Sequence, residues 1–347
     1  MKRVLLATMT TLAAVVAIDA RADTPPSVWD RARSPAAADA YALHRGVQRR
    51  IAELDHDGFL PAREAAKGGV RAILERAHAA DNPDVRLRFD YGAVLVWMRE
   101  YKDAAKVLNE ALAIAPNHPA ADEGWARLSE ACGHMGDNVC EVRAYREVLR
   151  RNAEEYRRGT PTLNLAEAEM HLGHLREAIE GYREAARLGE QRPADKLRPL
   201  AKWGLAVALD RSGDKIGAER EARAAIEAEA SLGLLGLPGA SVVSGLLRST
   251  EVFFVPAYEV SWYEGLGAAA LAREARTPAA IVRLWREAEK SYGNYVRFAT
   301  EDNGAWLEIA KARLHVAKTE RERAERRFGK MRPPASATDD DESERTF

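Results

Sequence analysis

Residues 101–116, YKDAAKVLNEALAIAP, hold the pattern that decides the fold of this chain. Apolar residues recur there every three or four positions, which is the spacing of one side of an α-helix, and polar residues lie between them. Pro116 ends the helix because proline has no backbone N–H to donate. The segment is therefore predicted to be an amphipathic helix that packs on a neighbour through one side.

The same pattern returns around four predicted turns, which begin at Arg99, Gly136, Gly173 and Gly213. Small or apolar residues occupy matching places before and after each turn. These places hold Gly92, Ser129, Ala166 and Ala206 seven residues before the turn, Ala104, Ala178 and Ala218 five residues after it, and Ala111, Val148, Ala185 and Ala225 twelve residues after it. Glu141 is the exception: it is a charged residue five residues after the second turn, where the other three repeats have alanine. Small residues let antiparallel helices approach closely, so the pattern predicts a series of helical hairpins.

This frame resembles the tetratricopeptide repeat, a helix–turn–helix unit of about 34 residues. Trp125-x2-Leu128 matches the front of the family pattern, with Ser129 in the place of its glycine, and Ala104-x3-Leu108 matches the back half. The resemblance implies an all-α fold, a right-handed α-solenoid of helix–turn–helix repeats with a concave surface for a partner segment. A plain helical bundle is the alternative.

The rest of the chain divides around these repeats. We expect a signal peptide at 1–22, a linker at 23–38, a degenerate helical pair at 39–84, tetratricopeptide-like repeats at 85–232, an irregular apolar insertion at 233–256, a degenerate repeat with a capping helix at 257–330, and a disordered acidic tail at 331–347. The insertion contains several glycines and the run VFFVP at 252–256, which is strand-like in character.

The first residues have the layout of a secretory signal peptide. Lys2 and Arg3 give a positive start, residues 4–18 are almost continuously apolar, and Ala20-Arg21-Ala22 is a small-x-small cleavage pattern. The apolar run is short for a transmembrane helix. We therefore predict a periplasmic or secreted protein with no transmembrane segment in the mature chain, and an uncleaved anchor is the alternative.

Composition argues against several classes of protein. The 347 residues include 52 Lys and Arg against 53 Asp and Glu, so the strongly basic surface of a nucleic-acid-binding protein is not expected. The sequence contains no Gly-rich phosphate loop, no G-x-S-x-G elbow and no H-E-x-x-H motif. We therefore predict that the protein is not an enzyme and name no catalytic residue.

The two cysteines, Cys132 and Cys140, lie four residues on either side of Gly136. Positions equidistant from the turn of an antiparallel hairpin are neighbours, and an exported protein meets an oxidising environment. We therefore predict a disulfide between them. The alternative is a metal site that adds His134 and either His171 or His174.

The segment from Glu53 to Glu64 resembles the twelve-residue calcium loop of an EF-hand. Asp55, Asp57 and Glu64 would supply carboxylate ligands. Two departures are Glu53, where the family has Asp, and Pro61, where a ligand or bridging water is usual. A solvated turn between the first two helices is the alternative, and no other cofactor is predicted.

The remaining candidate site is the concave surface that the resemblance implies. The family's contact positions, carried onto this chain, are Phe89, Trp97, Glu130, His134, Glu167, Met170, Trp203 and Arg211. They make a groove that is apolar at both ends and acidic between, and the Lys, Asn and Arg clamp for a C-terminal carboxylate is missing from it. The alternative is that the aromatic residues pack against neighbouring helices or the insertion.

The leading hypothesis is a non-catalytic scaffold or adaptor of the bacterial envelope that docks an apolar or mildly basic segment of a partner protein in this groove. A second hypothesis is a regulatory module that responds to calcium at residues 53–64 or binds another ligand. A third is an enzyme that uses residues 231–300, a region in which no nucleophile and acid–base set is recognisable.

Overall fold

The computed structural model describes residues 34–56, 60–192, 195–233, 243–249 and 252–328. Within these residues the chain is built of α-helices and short 3₁₀ turns, without a strand, and the predicted all-α fold is confirmed. The helices are α1 (Pro35–His56), α2 (Leu60–Arg76), α3 (Val85–Trp97), α4 (Tyr101–Ile114), α5 (Ala121–Met135), α6 (Asn138–Arg151), α7 (Gly159–His171), α8 (Leu175–Glu190), α9 (Leu197–Ser212), α10 (Lys215–Ser231), α11 (Val260–Glu274), α12 (Pro278–Glu301) and α13 (Leu307–Phe328). The predicted signal peptide and acidic tail lie outside the described residues.

The chain divides into two units between residues 193 and 194. Unit 1 contains α1 to α8, which form four consecutive hairpins, and unit 2 contains α9 to α13, which form two hairpins followed by a single helix. The predicted repeats at 85–232 therefore contribute three hairpins to unit 1 and one to unit 2. The pair predicted at 39–84 is α1 and α2, and α1 begins at Pro35, so the last part of the predicted linker is helical.

Close packing within the hairpins rests on the small residues that the sequence pattern identified. In unit 1 the fully buried ones are Ala104, Ala111, Ala178 and Ala185, and in unit 2 they are Ala206, Ala218 and Ala225. Gly92 on α3 shows how close the helices come, since a Cβ there would lie 2.5 Å from the side chain of Leu108 on α4. Larger side chains at these places would push the paired helices apart.

The four predicted turns share one backbone conformation. Arg99, Gly136, Gly173 and Gly213 all have positive φ, at 64°, 69°, 82° and 97°. This left-handed conformation ends a helix tightly, and glycine adopts it without the steric penalty that a Cβ carries. Arg99 is the one non-glycine residue among the four.

Substituting Gly213 with alanine tests this turn. We expect Gly213→Ala to lower the free energy of unfolding by about 1 kcal/mol, because alanine disfavours positive φ. No atom lies within 4 Å of the added Cβ, so the loss comes from the backbone alone. Urea denaturation measures it, and Gly213→Asn should lose less because asparagine tolerates this conformation. An alanine variant as stable as the wild type would contradict the turn geometry.

The predicted insertion is anchored to α10 and has no strand in its described parts, residues 243–249 and 252–256. Its residues 246–248 form a 3₁₀ turn. Glu229 on α10 is fully buried and accepts hydrogen bonds from the Ser244 hydroxyl (2.6 Å) and the Leu246 backbone N–H (3.2 Å). The strand-like expectation is wrong for residues 252–256, which form no strand.

Helix α13, in the segment where a capping helix is predicted, packs along α12. Ala310, Ala317 and Ala324 recur every seven residues and are buried. At the far end of α13, Glu325 accepts hydrogen bonds from Arg286 of α12 (2.7 and 2.9 Å). The two helices therefore run antiparallel, with the end of α13 beside the beginning of α12.

Candidate functional site

A disulfide joins Cys132 near the end of α5 to Cys140 in the first turn of α6, with 5.8 Å between their Cα atoms. The predicted pairing is confirmed. Cys132 is fully buried among residues of α3, α4 and α5. Both sulfurs are used in the bond, so neither is available as a thiolate ligand for the alternative metal site.

The disulfide should stabilise its hairpin measurably. Substituting both cysteines with serine is expected to lower the free energy of unfolding by about 2–3 kcal/mol, since the bond closes only a short loop. Thermal melts with and without reductant measure this. Reductant should lower the melting temperature of the wild type and leave the serine variant unchanged. Two thiols that titrate in the oxidised protein would contradict the pairing.

Glu141 follows the disulfide directly, at the place where the neighbouring hairpins of unit 1 carry the buried alanines Ala104 and Ala178. Its carboxylate lies against Gly133 of α5, where a Cβ would come within 2.9 Å of Oε1. Glycine at position 133 therefore leaves the room that the glutamate needs. Among the described residues no side chain donates a hydrogen bond to this carboxylate or forms an ion pair with it.

Other carboxylates surround Glu141. Burial, together with the negative charges of Glu167 on α7 and Asp137 in the turn, raises the pKa of Glu141 to about 8. Glu130 on α5 lies near the same buried tyrosine, Tyr145, as Glu141 does, and Arg127 donates a hydrogen bond to it (3.1 Å). We call these four residues, Glu130, Asp137, Glu141 and Glu167, the acidic face. It gathers negative charge from α5, α6 and α7. Arg127 pairs with Glu130, and Nε2 of His171 lies 4.0 Å from Glu167.

Aromatic side chains lie beside the carboxylates of the acidic face. The hydroxyl of Tyr145 on α6 accepts a hydrogen bond from Asn164 of α7 (2.7 Å), and burial beside the charge of Glu141 raises its pKa. The ring of His134 stacks on Tyr101 at 4.3 Å with an interplanar angle of 11°. Burial lowers the pKa of His134, so the imidazole is neutral at pH 7. The stack adds a flat, uncharged surface on α5, the helix that carries Glu130.

The structure thus brings together three of the predicted contact residues, Glu130, His134 and Glu167. Other predicted contacts in unit 1 are placed differently. Phe89 is buried against Gly124 of α5, and Met170 is fully buried. Because both side chains are buried inside the unit, neither can contact a partner, which corrects the prediction. Trp97 is half-buried in the core of α1, α2 and α3, with the Lys67 ammonium 5.1 Å from its ring.

The predicted contacts in unit 2 are also buried, so the alternative interpretation of internal packing applies there. Trp203 is fully buried and donates a hydrogen bond from Nε1 to Glu229 (2.5 Å). Arg211 lies between the rings of Trp262 and Trp306, at 4.7 and 5.1 Å, and its side chain is 0% exposed. Neither residue can contact a partner in this structure.

Arg211 is neutralised by a residue that sequence reasoning missed. It forms a buried ion pair with Glu259, whose other oxygen accepts a hydrogen bond from the Tyr295 hydroxyl (3.0 Å). Glu259 lies 48 positions from Arg211, so no local pattern signals the pair. The sequence did single out Glu141, as the exception among the small residues, but nothing near it in the chain pointed to Glu167.

The predicted calcium ligands lie outside the described side chains. The side chains of residues 53–66 are not among those described, which includes Asp55, Asp57 and Glu64. Helix α1 extends to His56 and α2 begins at Leu60, so three residues separate the helices where an EF-hand loop has twelve positions. Calcium binding stays a prediction.

Comparison with known protein families supports the assignment of helical repeats. The family model for the tetratricopeptide repeat matches residues 64–128, from α2 to the middle of α5. This part of the chain is therefore similar to a tetratricopeptide repeat, as the sequence pattern predicts. Proteins with these repeats are generally interaction scaffolds, so the fold suggests protein partners. None of its described helices has the apolar length that crossing a bilayer requires.

A search of curated proteins gives no match to this chain. Solved structures similar to it include the MamA RS-1 ArsTM double mutant, with a TM-score of 0.43 and 17% identity, covering 55% of this chain and 95% of that one. The apo form of RapI is similar with a TM-score of 0.47 and 10% identity, covering 83% and 99%. A signal-transduction ATPase with numerous domains from Pyrococcus horikoshii, which has a tetratricopeptide-repeat sensor, gives 0.45 and 12%, covering 83% of this chain and 43% of that one.

Proposed function

We propose that the protein is a non-catalytic adaptor of the bacterial cell envelope that binds a basic segment of a partner protein on the acidic face of unit 1. The observation that carries this proposal is Glu141, a carboxylate with no counter-charge among the described residues and with Glu167 beside it.

A carboxylate in this position makes the fold less stable than a neutral residue would. Burial and neighbouring negative charges both disfavour its ionised form, which is why its pKa is raised. A lysine or arginine brought by a partner would supply the missing positive charge. Strongly perturbed groups cluster at functional sites for this reason, which supports a binding role for Glu141.

The apolar part of the contact would come from the Tyr101–His134 stack on the neighbouring hairpins. An extended or helical segment with a basic residue beside an apolar one would match both features. The proposal is confined to unit 1, because the corresponding positions in unit 2, Trp203 and Arg211, are buried by the chain itself.

The envelope location is supported by two features of the chain. Residues 1–22 have the layout of an export signal, and the Cys132–Cys140 disulfide is of a kind that persists in oxidising compartments. We propose a periplasmic or secreted protein. Fractionation of cells that express the full chain tests this, and an uncleaved product in the cytoplasm would contradict it.

Selection from a random peptide-display library tests the binding proposal while the natural partner is unidentified. The immobilised full chain should enrich peptides that contain Lys or Arg next to an apolar residue. A selected peptide should lose about tenfold in affinity, or about 1.4 kcal/mol, for the double variant Glu141→Gln/Glu167→Gln. Fluorescence anisotropy with the labelled peptide measures the loss.

The matched control is Glu180→Gln, which changes an exposed carboxylate on α8 in the same unit and should leave the affinity unchanged. Enrichment of acidic peptides, or equal affinity for the double variant and the wild type, would show that the acidic face is not the binding site.

A further inference from the structure

Helix α12 carries a row of positive charges on its outer side. Arg283, Lys290 and Arg297 are exposed and seven residues apart, so they lie on one side of the helix, about 10.5 Å from one to the next. The buried residues of this helix, such as Ala288 and Tyr295, lie on the opposite side. We call these three residues the basic row.

The basic row differs from the neighbouring arginines because its residues form no ion pair with the described carboxylates. Within the described residues no carboxylate lies within ion-pair distance of Arg283, Lys290 or Arg297, although Arg297 stacks on the ring of Phe298. By contrast, the nearby Arg286 and Arg321 are both paired with glutamates across the α12–α13 interface. Three like charges without partners repel one another and attract an anionic segment.

A segment of matching charge follows α13 in the sequence. Residues 339–344, DDDESE, contain five carboxylates. Eleven positions separate Phe328, where α13 ends, from Asp339, and such a stretch reaches at most about 36 Å. Because Glu325 contacts Arg286, the end of α13 lies beside the first turns of α12, close to Arg283. Residues 339–344 span about 20 Å when extended, and Arg283 to Arg297 spans about 21 Å.

We propose that the acidic run at residues 339–344 docks on the basic row of α12 in its own chain and shields it. The interaction is electrostatic and needs no regular structure in the acidic run. It keeps this side of unit 2 from binding other polyanions, so the acidic run acts as a built-in competitor for acidic ligands.

Carbodiimide crosslinking tests the contact directly, because it joins a carboxylate and an amine only when they touch. In dilute full-length protein we expect amide bonds between Lys290 and residues 339–344, identified by mass spectrometry of the monomer band. They should disappear when the ionic strength rises from about 0.01 M to about 1 M, where the screening length falls from about 30 Å to about 3 Å.

Lysines elsewhere in unit 2 are the internal controls. Lys318 on α13 and Lys215 on α10 are exposed, and they should crosslink to the acidic run much less than Lys290 does. The variant Arg283→Gln/Arg297→Gln keeps Lys290 and should reduce its crosslinks severalfold. The control Arg220→Gln, at an exposed arginine of α10, should not. Equal crosslinking of all three lysines, or crosslinks only between isotopically distinct copies, would overturn the proposal.

A second measurement tests whether the basic row binds a polyanion when the acidic run is neutralised. Neutralising the acidic run with Asp339→Asn, Asp340→Asn, Asp341→Asn and Glu342→Gln should increase retention on a heparin column at low salt. Adding Arg283→Gln and Arg297→Gln should abolish that increase. Retention that does not respond to the neutralised run would also overturn the proposal, because the row would then not be shielded.

Discussion

Replacing Glu259 with glutamine is expected to lower the free energy of unfolding of unit 2 by about 3–5 kcal/mol. The side chain of Arg211 is 0% exposed and that of Glu259 is 4% exposed, so the variant leaves a buried guanidinium without its carboxylate. The rings of Trp262 and Trp306 contact the cation but do not neutralise it. Urea denaturation followed by tryptophan fluorescence measures the loss.

Two further variants separate the buried ion pair from a general effect of losing a glutamate. Glu308→Gln removes an 83% exposed carboxylate that pairs with Lys311, and it should change stability by no more than about 1 kcal/mol. The double variant Glu259→Gln/Arg211→Met removes both charges and should be more stable than Glu259→Gln alone. If Glu259→Gln lowers the free energy of unfolding as little as Glu308→Gln does, the buried ion pair does not stabilise unit 2.

Replacing Glu141 with glutamine should stabilise unit 1 in a pH-dependent way. The pKa of Glu141 is about 8 in the folded chain, against an ordinary value of 4.5. Between these two pH values the folded chain binds a proton that the unfolded chain does not. The stability of the wild type therefore falls as pH rises through this window, and Glu141→Gln removes that loss because its side chain cannot ionise.

The expected gain is about 2–3 kcal/mol at pH 9, reduced from the full linkage value because Glu141 is partly exposed, and it disappears near pH 4. Urea denaturation at a series of pH values measures it, with Glu180→Gln as the control that should follow the wild type. Parallel pH profiles for Glu141→Gln and the wild type would mean that Glu141 is ionised at no cost, which would remove the argument for the acidic face as well.

The same titration affects binding. A cationic segment prefers the ionised form of Glu141, so docking on the acidic face should release a proton below pH 8. The affinity of a selected basic peptide for the wild type should therefore rise as pH increases through this window, and its affinity for Glu141→Gln should not.

The amino-acid sequence was sufficient for features that depend on neighbours along the chain. The hairpins, their turns at Arg99, Gly136, Gly173 and Gly213, and the buried small residues follow from helical periodicity within about 30 residues. The disulfide belongs with them, because Cys132 and Cys140 are eight positions apart on the two sides of one turn. Glu141 also stood out in the sequence, as a charged residue in the place of an alanine.

Only the tertiary structure decided which polar and aromatic residues are accessible. Trp203 and Arg211 occupy positions that face a groove in the repeat pattern, yet Glu229, Glu259, Trp262 and Trp306 bury them from positions up to 95 residues further along the chain. A local pattern specifies which side of a helix a residue lies on. What covers that side depends on contacts between segments far apart in sequence, and those contacts become visible only when the helices are packed.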